Sequence, residues 1–66
     1  MKLAENLKAM RTAKNMSQAL LAEKLNVSLK TISHWETSYS EPSIVQLIQL
    51  ANLFDMSIDE LVGRIN

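Results

Sequence analysis

The sequence predicts an all-α fold of five short helices, and three observations carry that prediction. Apolar residues recur at three- and four-residue spacing, the period of helices rather than strands. Serines stand ahead of the periodic stretches at Ser17, Ser28, Ser43 and Ser57, and the last two are followed three residues later by Gln46 and Glu60. That is the spacing of a capping box, in which two otherwise unpaired amides of a first turn are satisfied reciprocally. Finally, Asn26 and Gly63 follow periodic stretches and tolerate the left-handed backbone that a sharp helix end requires.

The first helix carries Leu3, Leu7 and Met10 and should end near Lys14. The second opens at Ser17, places Leu21, Ala22 and Leu25 on one face, and stops at Asn26. A third should run from Leu29 to about Thr37 behind Ser28, whose side chain can accept from the first-turn amides. Ser38 to Pro42 form a loop, and a fourth helix spans Ile44 to Phe54. It carries Ile44, Val45, Leu47, Ile48, Leu50, Leu53 and Phe54, more than one stripe holds, so it should bury more than one side. A short fifth helix follows Ser57 and ends at Gly63.

A chain of 66 residues can bury about 60% of the surface its unfolded form exposes, so a single domain over residues 1–66 is expected. Cysteine is absent and His34 is the only histidine, which leaves no disulfide or structural zinc to supplement the core. The longest apolar stretch, Ala19 to Ala22, is far short of the roughly 20 residues that span a bilayer, and the amino-terminus lacks the apolar region of a signal peptide. A soluble cytoplasmic protein without membrane contact is the expectation.

Formal net charge is zero, which taken alone argues against a nucleic-acid partner. The distribution reverses that. Up to Trp35 the chain sets Lys2, Lys8, Arg11, Lys14, Lys24 and Lys30 against Glu5 and Glu23, whereas from Glu36 onward only Arg64 opposes Glu36, Glu41, Asp55, Asp59 and Glu60. One basic half and one acidic half are expected where one end faces phosphates and the other faces water or protein.

Ser17 to Glu36 read as two amphipathic helices across a tight turn, a helix-turn-helix made of the second and third helices, which points to the major groove of double-stranded DNA. At about 100° per residue, Ser28, Ile32 and Trp35 share one side of the third helix, and Leu29, Lys30, Ser33, His34 and Thr37 fan over the other. The first set suits burial. Of the second, Lys30 can donate to guanine O6 or N7, Ser33 can pair with several base edges, Leu29 can pack on a thymine methyl, and His34 can reach a phosphate or the next base. The same five residues also suit the solvated face of a short helix.

Met16-Ser17-Gln18, Leu21 to Leu25, Val27-Ser28, Thr31-Ile32-Ser33, Trp35-Glu36, Glu41-Pro42-Ser43 and Ser57 to Leu61, in this order and spacing, carry a resemblance that covers Leu7 to Leu61. In them the chain resembles the Cro/repressor-type helix-turn-helix family, also called xenobiotic-response-element or lambda-repressor-like. The resemblance implies a five-helix bundle that binds operator DNA, usually as a two-fold homodimer. It implies that Gln18, at the start of the second helix, sits over the DNA backbone with a helix amino-terminus beside it. It further implies a partly buried ion pair between Arg11 and Glu36, and a loop from Thr37 through Ser38 and Tyr39 to Ser40 whose backbone amides and small side chains touch phosphate.

Departures from the family pattern are informative. Asn26 and Asp55 stand where glycine is common, and both tolerate a left-handed backbone. The loop after the third helix has no positive charge, so fewer phosphates are neutralised and the salt dependence of binding should be shallow. Leu20 and Val45 replace residues that are usually polar, either as partner contacts or as isolated exposed apolar residues. Leu61, Val62 and Ile65 at the carboxyl end suit either a second subunit or packing of the tail onto its own core.

The inventory does not favour an enzyme. His34 beside Ser33 on one helix cannot form a nucleophile and base oriented by a third group, one glycine is too few for a phosphate-cradling loop, and Asp55, Asp59 and Glu60 lack metal-loop spacing. No cofactor, metal or small-molecule substrate is expected. The reading is a repressor-like, sequence-specific regulator of transcription; the alternative is a protein-interaction member of the same fold, such as an antitoxin-type partner or an antagonist of another regulator.

Overall fold

The computed structural model describes residues 2–63, and among them all regular structure is helical. The helices are α1 (Leu3–Ala13), α2 (Gln18–Leu25), α3 (Leu29–Glu36), α4 (Ile44–Leu53) and α5 (Ile58–Val62). Four of the five begin behind a serine that works as an N-cap, with Ser17, Ser28, Ser43 and Ser57 accepting from the amides of Leu20, Thr31, Gln46 and Glu60. The boxes at α4 and α5 are both closed, Gln46 Oε1 accepting from Ser43 N at 2.8 Å and Glu60 Oε1 from Ser57 N at 3.0 Å.

Helix ends share one device. Asn15, Asn26, Ser38 and Asp55 take left-handed backbones with φ of 54°, 57°, 63° and 54°. After each, the next amide reaches back five residues, Met16 N to Arg11 O, Val27 N to Ala22 O, Tyr39 N to His34 O and Met56 N to Ala51 O, satisfying carbonyls that no longer have a helical partner. Asn and Asp visit this conformation readily; Ser38 does so without such preference. Phe54, expected inside α4, is the residue that caps it, and Thr37 likewise caps α3.

Each helix contributes one fully buried aliphatic side chain, Leu7, Leu21, Ile32, Leu50 and Leu61, and these form the centre of the core. Leu3, Met16, Ala22, Trp35, Leu47 and Phe54 surround them. Each such burial stabilises by roughly 1.5–3 kcal/mol, so loss of any one endangers a core this small. The packing sequence is α1 on α3 and α5, α2 on α3 and α4, and α4 on α5. The start and end of the described chain are held together, with Lys2 N donating to Val62 O at 2.9 Å and Asn6 Nδ2 to Leu61 O at 3.1 Å. Gly63 has φ of 75°, and a Cβ there would lie 2.9 Å from Lys2 Cβ, so the close crossing as well as the backbone requires glycine.

Two expectations are corrected here. Helix α4 does not bury more than one side: Ile44, Val45 and Ile48 are 71%, 64% and 44% exposed, because its core stripe is limited to Leu47, Leu50 and Ala51, where α2 and α5 meet it. Leu61 has no exposed surface to offer a second subunit, since α5 lies across α1 and α4 and turns it inward. Val62 is half-buried against the core, and Ile65 lies outside the described residues.

The α5 box titrates. The Ser57 amide holds the Glu60 carboxyl below its ordinary range near 4.5. A carboxylate whose folded pKa is depressed contributes stability that is complete above the unfolded value and is lost as pH falls through the folded one. Thermal melts from about pH 6 down to about pH 3 should therefore show a shallower acid decline in Glu60→Gln, which can keep the bond without titrating. Superimposable acid limbs would show that the box carries no pH-dependent stability.

Candidate nucleic-acid interface

The turn between α2 and α3 is set by Asn26 and by Ser28, whose Oγ takes the Thr31 amide at 3.1 Å and lies 2.9 Å from Thr31 Oγ1. Ser28 was expected on the buried side of α3 but is exposed, because a capping residue precedes the first helical turn and escapes its period. Ile32 and Trp35 are buried, and they anchor α3 through one face. The opposite face presents Leu29, 52% exposed, and Lys30, with Ser33 and His34 half-buried beside them.

Beyond α3, the Thr37 hydroxyl turns back onto Ser33 O at 3.0 Å. The backbone amides expected to face phosphate are committed elsewhere: Thr37 N bonds to Ser33 O, Ser38 N to Trp35 O, and Tyr39 N and Ser40 N both to His34 O. The carbonyls at the end of α3 need donors, and this loop supplies them. What the segment offers outward is side chains, Ser38, Ser40 and above all Tyr39, whose ring is highly exposed and packs 4.5 Å from the His34 ring.

Behind this face lies a charged cluster. Arg11 grips Glu36 through both carboxylate oxygens, Nε to Oε2 at 2.7 Å and Nη2 to Oε1 at 3.1 Å, and donates from Nη1 to Met16 O at 2.7 Å. The two side chains are only 10% and 3% exposed. The hydrogen bond with Glu36 raises the Arg11 pKa, outweighing the desolvation that opposes it. Gln18, expected to direct its amide at the DNA backbone, donates from Nε2 to Glu36 Oε1 at 3.1 Å. A glutamine eighteen positions from its partner gives no local signal of that bond.

With Arg11 neutralised by Glu36, the exposed positive charge of the amino-terminal half rests on lysines, among them Lys8, Lys14, Lys24 and Lys30. Among the described residues no three His, Cys, Asp or Glu side chains converge as metal ligands. No described helix is long and apolar enough to cross a membrane.

Residues 7–61 match the family model described as helix-turn-helix. The chain is 40% identical over 63 residues to the HTH-type transcriptional activator BcrR of Enterococcus faecalis, covering 96% of this chain and 31% of that protein. It is 36% identical over 64 residues to the cryptic phage CTXphi transcriptional repressor RstR of Vibrio cholerae, covering 97% of this chain and 57% of that one. The fold superimposes on the crystal structure of a transcriptional regulator from Listeria innocua with a TM-score of 0.92 and 38% identity, over 97% of this chain and 60% of that one. The chain thus spans between 31% and 57% of the length of these curated relatives.

Proposed function

Because the chain belongs to the Cro/repressor-type helix-turn-helix family, we propose that it is a cytoplasmic, non-enzymatic regulator of transcription that binds operator DNA, with α3 in the major groove. One observation carries the reading. Helix α3 is fixed to the core by Ile32 and Trp35 while Leu29 and Lys30 project from its first turn, the part of a recognition helix that meets base edges. Gln18, Ser28, Ser38 and Tyr39 flank that turn and position the protein on phosphates without reading sequence; Ser33, His34 and Thr37 extend the contact along the helix.

Lys30→Ala should weaken operator binding by roughly 1–3 kcal/mol and relax preference at one base pair of each half-site. Selection from random duplexes measures this. Coincident profiles for parent and variant would remove the base-reading role of Lys30.

A two-fold dimer places two recognition helices about 34–36 Å apart in successive major grooves. In place of the buried Leu61, the candidate contact is the α4 face of Ile44, Val45 and Ile48, met by the same face of a second copy as two-fold symmetry requires. The principal neighbours of α4 are α2 and α5, so a partner seated on this face leaves the exposed side of α3 open. Ile44→Gln with Val45→Gln should keep the helical fold and single half-site affinity while abolishing cooperative occupancy of two half-sites. Sedimentation and half-site titration test it: unchanged cooperativity removes this surface, and a stable complex with a different protein in the absence of DNA affinity supports the protein-interaction alternative.

A further inference from the structure

Gln18 opens α2, and its side chain is half-buried rather than free in solvent. Its Nε2 donates to Glu36 Oε1 at 3.1 Å. A carboxylate only accepts, so this bond admits one orientation of the carboxamide, nitrogen toward Glu36 and oxygen away. Glu36 cannot follow Gln18 outward, because Arg11 holds both its oxygens and is itself tied to Met16 O. At the same helix end Ser17 Oγ takes the Leu20 amide and Ser17 O that of Leu21, leaving the amides of Gln18 and Ala19 at the open amino-terminus.

We propose that Glu36 is a positioning residue for the DNA contact of α2: by holding one Nε2–H of Gln18 it aims the second, together with the open amides of the helix, at a single phosphate. The proposal rests on the DNA-binding reading above. Glu36 touches no DNA and acts through Gln18. A surface glutamine ordinarily loses rotamer freedom when it binds; here the bond to Glu36 restricts the side chain before DNA arrives, which is the advantage of preorganisation. The negative charge of Glu36 does not oppose the phosphate, because Arg11 balances it at 2.7 Å.

Duplexes carrying one methylphosphonate, stepped through the phosphates of the binding site, test the proposal against the parent, Gln18→Ala and Glu36→Met. The parent should lose about tenfold in affinity at the phosphate that Gln18 meets, the scale of a hydrogen bond to a charged group. Gln18→Ala and Glu36→Met should both reduce that penalty at that phosphate, to the part that the helix amides contribute, and keep the penalties elsewhere. Weaker binding by Glu36→Met with the parent's penalty profile unchanged would make Glu36 merely structural and overturn the proposal. Arg11→Met with Glu36→Met serves where the single variant does not fold. Side-chain amide relaxation of the parent gives an independent measure, with an order parameter of about 0.8 or higher at Gln18 Nε2 against below about 0.6 at the exposed Gln49. Equally low values at both overturn the proposal without reference to any variant. A parent that binds no duplex overturns the DNA-binding reading itself, a result distinct from either.

Discussion

Leu61→Lys is expected to abolish the cooperative thermal transition of this chain. Leu61 is fully buried, one of the five side chains at the centre of the core, and α5 is held over it by the Lys2 and Asn6 hydrogen bonds to Val62 and Leu61 carbonyls. An ammonium group there finds no partner, and a buried, unpaired charge costs several kcal/mol even after relaxation. A domain of this size has roughly 3–10 kcal/mol of stability in total, so the loss is of the same order as the whole. Leu61→Ala, which leaves only a cavity, should cost about 2–5 kcal/mol and remain measurable by urea unfolding. Circular dichroism decides the matter. A Leu61→Lys chain that keeps its helicity and melting transition but sediments as a smaller species would return Leu61 to a subunit interface.

Glu36→Ala carries the second large effect. It leaves the Arg11 guanidinium buried with one remaining bond, to Met16 O, and removes the acceptor of Gln18. Breaking one side of a buried pair costs about 3–5 kcal/mol, which in a domain this small lowers Tm by roughly 12 °C or more. Arg11→Met with Glu36→Leu removes both charges and should recover part of that loss. Recovery stays incomplete because the Met16 carbonyl loses its donor, a deficit of about 1–3 kcal/mol. Three melting curves test this ordering, parent above the double variant and the double variant above Glu36→Ala. Negligible losses in both variants would show that water solvates the pair.

The serine caps were legible because a cap is a conversation between residues three apart. Ser17, Ser28, Ser43 and Ser57 each bond within their own first turn, so residue type and spacing contain nearly everything that decides the bond. The same holds for the left-handed positions with a chemical preference for them, Asn26, Asp55 and Gly63. It fails for Ser38, whose φ of 63° follows from the need to satisfy His34 O and which has no compositional signal. The Arg11–Glu36 pair was legible only through family resemblance, since the charges lie 25 positions apart.

By itself, then, the sequence determined the five helices, their serine caps, the burial of Ile32 and Trp35 on α3 and the projection of Leu29 and Lys30, because one-helix periodicity and short-range hydrogen bonds decide all of these. Only the tertiary structure decided which of two apolar sets is core: Leu61 lies inside and Ile44, Val45 and Ile48 lie outside, although composition ranks them alike. Only the tertiary structure turned Gln18 toward Glu36 and spent the Tyr39 and Ser40 amides on α3. The physical reason is common to them. Burial and hydrogen bonding between distant residues depend on how helices cross, and crossing is set by the packing of five helices at once rather than by the pattern of any one of them.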